Sequence, residues 1–199
     1  MTLPVLGDGR NMMKEETSSL EQLLAWLKRE ANGATRGPPP VEKWNPSHCG
    51  DIGMEILADG TWRHEGTRIT REALVRLFAS ILRKDEDGLT YLVTPVEKVL
   101  VRVEDAPFVA VRADRHGEGR AQTLLFTTNV GDVVAAGPEH PLRVEMRGGE
   151  PRPYLHVRGR LEARILRAPF YELVEWSEAR EGRLGVWSQG AWFELGAVV

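Results

Sequence analysis

From residue 153 to residue 165 the chain reads PYLHVRGRLEARI. Its odd positions are apolar or small (Pro153, Leu155, Val157, Gly159, Leu161, Ala163, Ile165), and its even positions are polar or charged (Tyr154, His156, Arg158, Arg160, Glu162, Arg164). Only an element that repeats every two residues sorts side chains this way, so the segment predicts one long, half-buried strand. One face can anchor a sheet; the other presents three Arg, a His and a Tyr. Residues 143–167 hold seven Arg against three Glu, a local excess of four positive charges. No catalytic signature of comparable strength occurs in the chain.

The excess is local. The 199-residue chain carries a net charge of −3, which disfavours nucleic acid or an anionic membrane as a general partner, since either needs a strong positive field. A single cysteine, Cys49, rules out an internal disulfide and suits a reducing compartment. No window approaches the roughly 18 apolar residues of a membrane span, so the expectation is a cytoplasmic protein.

Residues 1–17 lack periodicity and read as a polar tail. Leu20, Leu23, Leu24 and Leu27 follow a Ser18/Glu21 capping pair, which predicts an amphipathic helix over about 19–31. Pro38–Pro40 then sets an extended linker, and residues 41–50 read as an irregular connection plugged by Trp44. Met54–Ile56 and Thr61–Arg68, turned at Asp59–Gly60, predict a hairpin. Thr70 is placed to cap a helix whose Leu74, Leu77, Phe78, Ile81 and Leu82 share a face, with Arg83 and Lys84 in its last turn. Strands are expected at 90–94, 99–103, 108–111, 122–127 and 142–147. A helix over about 168–178 carries Pro169 in its first turn, and a hairpin at 184–188 and 191–195 ends the chain.

The order hairpin, helix, hairpin occurs twice. A shift of 96 positions puts Ile69 on Ile165, Leu74 on Phe170, Leu77 on Leu173 and Tyr91 on Trp187. The expected fold is therefore α+β, a duplicated core of two small sheet-and-helix units. The expected divisions are 1–40 for tail, helix and linker, 41–105 for the first unit and 106–199 for the second.

Guanidinium groups offer planar paired donors for phosphate or carboxylate, so Arg152 and Arg158, with Tyr154 or His156 available to stack on a base, form one candidate anion site. The plainer reading is a solvated face whose arginines pair with Glu145 or Glu162. Trp62, His64 and Arg68 share strand parity and, with Arg71, form a second aromatic and cationic set. Tyr91, Thr94, Glu97 and Lys98 can complete a polar pocket beside it. No metal is expected, since the five His show no chelating spacing and only His48, Cys49 and Asp51 cluster. Glu104 and Asp105 beside Pro107 read as turn chemistry.

Several strings resemble a bacterial family known as domain of unknown function 1285: WNPSHCGDIGMEI (44–56), DGTWRHEG (59–66), ITREALVRLFASILR (69–83), YLVTPVEKV (91–99), VEDAPF (103–108), FTTNVGD (126–132), HPLR (140–143) and PYLHVRG (153–159). The resemblance implies a duplicated core whose second half is superficially similar to pleckstrin-homology folds. It also implies a site for a nucleotide-like ligand between the halves and a role in signal transduction; it names no activity and no cofactor.

The expected function is a regulatory module that binds a small anionic, nucleotide-like ligand between its halves. In that reading Arg158 and Arg152 hold phosphate, Trp62 or Tyr154 stacks, and Asn129, Thr94 and Glu97 select by hydrogen bond. Two other classes stand beside it. One is a small hydrolase using His64 or Cys49; the other is an interaction scaffold using the N-terminal helix or a sheet edge. A homodimer is compatible with all three.

Overall fold

The computed structural model describes residues 23–26 and 39–198. Alternating and doubly buried apolar segments dominate it, and the molecule is mostly β. One six-stranded sheet contains β1 (His48–Ile56), β2 (Trp62–His64), β3 (Thr67–Arg68), β4 (Leu82–Lys84), β5 (Thr90–Val93) and β6 (Glu97–Val103), in the order β3-β2-β1-β6-β5-β4. A second contains β7 (Phe108–His116), β8 (Thr123–Thr128), β9 (Val133–Ala135), β10 (Leu142–Arg147), β11 (Glu150–Arg158) and β12 (Leu161–Ile165), in the order β10-β11-β12-β7-β8-β9. In each sheet the two central strands run parallel, β1 with β6 and β12 with β7; every other pairing is antiparallel. A three-stranded sheet of β13 (Glu178–Arg180), β14 (Arg183–Ser188) and β15 (Ala191–Ala197) ends the chain.

The two longer helices have nine residues each, α1 (Glu72–Ser80) between β3 and β4 and α2 (Arg167–Glu175) after β12. Helix is thus a minor component, and the α+β expectation holds only in its coarse form, a mostly β protein with short helices. The 96-residue shift does not hold. It lays α1 near α2, but Tyr91 sits on β5 of a six-stranded sheet and Trp187 on β14 of the three-stranded one.

The segment 153–165 is two strands, β11 and β12, reversed at Gly159–Arg160. Gly159 takes the left-handed φ of 52° that this reversal needs. Tyr154 opposes Arg164 and Leu155 opposes Ala163, so like parity meets like parity up to His156 and Glu162; the register shifts between His156 and Arg158, next to the turn. The odd positions are buried as the pattern requires, except at the turn itself. Similarly, Thr61–Arg68 is broken at Glu65–Gly66, where both residues have positive φ, so Arg68 lies on β3 opposite Arg63 and does not continue the row of Trp62 and His64. β1 begins at His48, earlier than expected, with its register with β6 shifting between Asp51 and Met54.

Helix α1 stops at Ser80, and Arg71, not Thr70, is its N-cap residue. Arg83 consequently lies on β4 and is buried, instead of ending a helix. It donates to the carbonyls of Val41 (2.8 Å) and Trp44 (2.6 Å) and pairs with Asp85 (2.5 Å). Those bonds fasten a 3-10 turn, Val41–Lys43, to the first sheet. Of the expected N-terminal helix, residues 23–26 are helical: Leu23 is fully buried and Trp26 meets Trp44 edge-on at 5.3 Å. The rest of that helix and the expected polar tail lie outside the described residues.

One continuous apolar cluster joins both six-stranded sheets, with Met54, Ile56, Leu92 and Val99 from the first and Phe108, Phe126, Leu155 and Ala163 from the second. Polar contacts also cross between the halves. Arg158, held by Asp132 of its own half (2.8 Å), donates to the Ala79 carbonyl at the end of α1 (2.7 Å), and Arg160 pairs with Glu86 (3.1 Å). At Gly60, φ is +83° and a Cβ would lie 2.8 Å from Asn129 Nδ2, so glycine permits the close approach of the halves there.

Candidate functional site

That approach borders a cleft of about 270 Å³. Trp62 on β2, Arg68 on β3, and Thr70, Glu72 and Arg76 around the start of α1 line it from the first half; Asn129, in the turn after β8, lines it from the second. Trp62 is 1% exposed and stacks on Phe78 (6.0 Å between centroids, 21° between planes). Its indole Nε1 is a buried side-chain donor without a partner among the described residues. Asn129 Oδ1 accepts from the Val109 N–H (3.1 Å), and its Nδ2 donates to the Gly60 carbonyl (3.4 Å).

Charge in the cleft is nearly balanced. Arg76 is paired with Glu72 (2.9 Å). Hydrogen bonds from Thr61 hold the Asp59 carboxyl below its ordinary value, with a further contribution from the Arg68 charge. Arg68 itself makes no ion pair within 4.0 Å among the described residues.

Of the sequence-derived candidates, only Trp62, Arg68 and Asn129 line this cleft. His64 lies half-buried on β2 opposite Met54, and Arg71 is exposed at the start of α1. Cys49 opposes Lys98 and lies five residues along β1 from Met54, roughly 15 Å of strand, so His64 and Cys49 do not form a pair. Among the described residues no group of His, Cys, Asp or Glu is arranged to hold a metal ion.

Tyr91 and Lys98 belong to a closed cluster on the first sheet. Lys98 Nζ lies 2.8 Å from Asp85 and 4.3 Å over the Tyr91 ring, and the Tyr91 hydroxyl donates to Asp87 (2.8 Å). Burial, reinforced by Asp87, pushes the Tyr91 phenol up to about 12. Thr94 follows β5, and the buried Glu97 opens β6 across the turn. The Thr94 hydroxyl donates to the Glu97 carbonyl and accepts its N–H, both at 3.1 Å, which closes the turn. An opening of about 750 Å³ near this cluster has four acids (Glu42, Asp85, Glu86, Asp87) against Arg83, Lys84 and Arg160, a poor setting for an anion.

The arginine-bearing face of β10–β12 is largely matched with carboxylates. Arg143 lies 4.4 Å over the Tyr154 ring and forks onto Glu162 (2.6 Å) while also meeting Glu145. Asp105, its side chain 4% exposed, reaches into this face from the β6–β7 connection. It accepts from the Tyr154 hydroxyl (2.7 Å) and meets Arg147 (3.4 Å), Arg164 (3.3 Å) and Arg152 (3.8 Å). Arg158, expected to hold phosphate, has both terminal nitrogens engaged by Asp132 and Ala79 and its guanidinium 5.0 Å over Phe108. It fastens the halves together.

Sequence reasoning missed Asp105, Arg164, Thr70 and Arg76. A signal for Asp105 was present: an excess of four cations on one ribbon needs an acid from elsewhere, and a carboxylate beside Pro107 at a strand corner can supply it.

Fold and cleft together define a class: two six-stranded sheets of like construction, packed through a common core, with a polar cleft at their junction. A family model described as "Domain of unknown function (DUF1285), N-terminal domain" matches residues 39–106, and its partner, "Protein of unknown function (DUF1285), C-terminal domain", matches residues 107–195. The chain belongs to the DUF1285 family. It is similar to a DUF1285 family protein from Silicibacter pomeroyi DSS-3, with 52% identity, a TM-score of 0.79, and 83% of this chain and 91% of that one covered. A DUF1285 family protein from Shewanella baltica OS155 is 30% identical with a TM-score of 0.50, covering 62% of this chain and 91% of that one. No curated protein matches. No helix among the described residues is long and apolar enough to cross a membrane.

Proposed function

We propose that the protein is a cytoplasmic regulatory module that holds a small anionic, nucleotide-like ligand in the cleft between its halves. The observation that carries this reading is Arg68: a cation without an ion pair among the described residues, beside the buried Trp62 and across from Asn129 of the other half. Arg68 meets the anion, Trp62 forms the floor, and Thr61, Thr70 and Asn129 supply hydrogen bonds. A volume of about 270 Å³ is just below the range for ligand pockets, roughly 300–1,000 Å³. It suits a ligand no larger than a mononucleotide, not a dinucleotide. Because Asn129 also touches Gly60, occupancy would bear on the contact between halves, which is how such a module signals.

We also read the halves as copies of one unit. Adding six to each strand number of β3-β2-β1-β6-β5-β4 generates the second sheet's order reversed, and β1 and β7 begin at residues 48 and 108, an offset of 60 (108 − 48). The pleckstrin-like comparison concerns fold and brings no ligand with it.

The test is thermal shift and calorimetry with a mononucleotide panel on the full chain and on Arg68→Ala. At least one nucleotide should raise the melting temperature and lose about tenfold or more in affinity in the variant, as for a charged hydrogen bond. A panel in which none raises the melting temperature overturns the reading.

A further inference from the structure

We infer a second anion site, formed within the second half alone, where the start of α2 meets β11 and β12. A recess of about 270 Å³ there is lined by Arg152, Arg164 and Arg167, with Glu150 as the one acidic lining residue. Phe170, Ile165 and two prolines supply its apolar wall. Like parity on β11 and β12 places Arg152 and Arg164 on the same side of the sheet, and Arg167 opens α2 beside them.

The cations outnumber what is there to meet them. Asp105 gives Oδ2 to both Arg164 (3.3 Å) and Arg152 (3.8 Å), while Oδ1 is engaged by Tyr154 and Arg147. The Arg152 contact is an ion pair without a hydrogen bond, and Arg167 has no ion pair among the described residues. Three guanidinium groups therefore keep unmet N–H donors around one small volume. A compact dianion with acceptors on several sides satisfies them better than a carboxylate does. The chemical class is a phosphate monoester, its organic group against Phe170. No side chain caps α2, so the helix start also favours negative charge.

Phenyl phosphate, titrated into the isotopically labelled full chain and followed by calorimetry and backbone NMR, tests this. Saturable binding is expected, with shifts centred on residues 150–153 and 164–170. Arg167→Gln, an exposed change that breaks no ion pair, should weaken it about tenfold, the scale of a charged hydrogen bond. Arg68→Ala should leave it unchanged, which separates this site from the cleft between halves. A second arm uses phosphatidylcholine vesicles with and without a monophosphorylated inositol lipid. Binding of either ester form that is sensitive to Arg167→Gln supports the site, and the arm that binds tells whether the monoester is free or on a lipid. Absence of saturable binding in both arms, equal affinity in wild type and Arg167→Gln, or loss with Arg68→Ala instead would overturn it.

Discussion

Asp85, just after β4, and Asp105, in the β6–β7 connection, are both carboxylates withdrawn from water, and both are met by cations. Their surroundings differ in stoichiometry. Asp85 is shared by Arg83 and Lys98, and Arg83 turns its remaining donors onto two backbone carbonyls, so the group closes on itself. Asp105 faces Arg147, Arg152 and Arg164 together, and its two oxygens are engaged before those donors are satisfied. A closed cluster contributes stability and specificity of packing. An open one leaves cationic capacity at the surface, and in this protein that capacity lies beside a recess.

The comparison can be broken from either side. Replacing Arg83 with Met should be the most damaging change, because the carbonyls of Val41 and Trp44 lose their donor and Asp85 keeps only Lys98. About 3 kcal/mol is expected from unmet buried acceptors and a half-broken ion pair, measured by urea unfolding. Asp105→Asn should cost less, about 2 kcal/mol, since its arginine partners are partly exposed and water screens their repulsion. If Asp105→Asn proved the more destabilising, the contrast between closed and open clusters would be wrong.

The smallest effect is a pH dependence confined to the closed cluster. Burial alone would raise the Asp85 carboxyl, but hydrogen bonds and charge from Arg83 and Lys98 outweigh it and hold the group below the ordinary value of 3.8. A carboxylate depressed in the folded state stabilises above its unfolded value and loses that contribution as pH falls through the folded one. The stability gap between wild type and Asp85→Asn should therefore be constant at neutral pH and close only below 3.8. A gap already closing near neutrality would show that Asp85 is not held by those cations.

Local pattern revealed the faces of strands better than their connections. The alternation at 153–165 identified the buried side chains, yet it concealed the reversal at Gly159, because an antiparallel pair of like parity keeps the same face inward. The apolar spacing through Ile81 and Leu82 continued the pattern of α1 although the chain had already become β4, whose residues are buried regardless of face. The terminal hairpin was legible because Gln189–Gly190 separates two matched apolar runs by two residues, both with positive φ. The parallel pairings β1·β6 and β12·β7 join segments distant in sequence and leave no local trace. The same holds for the cleft: Trp62 and Arg68 are near neighbours in sequence, but what brings Asn129 to them is the packing of one half on the other.

Arginine side-chain NMR on the full chain titrated with inorganic phosphate tests most directly whether unmatched guanidinium groups, and not arginine content, define the binding surfaces. The guanidinium N–H signals of Arg68 and Arg167 should shift saturably, while those of Arg83, Arg143 and Arg158 that internal acceptors hold should stay in place. Shifts of equal size across all of them, or at the matched arginines alone, would contradict the account.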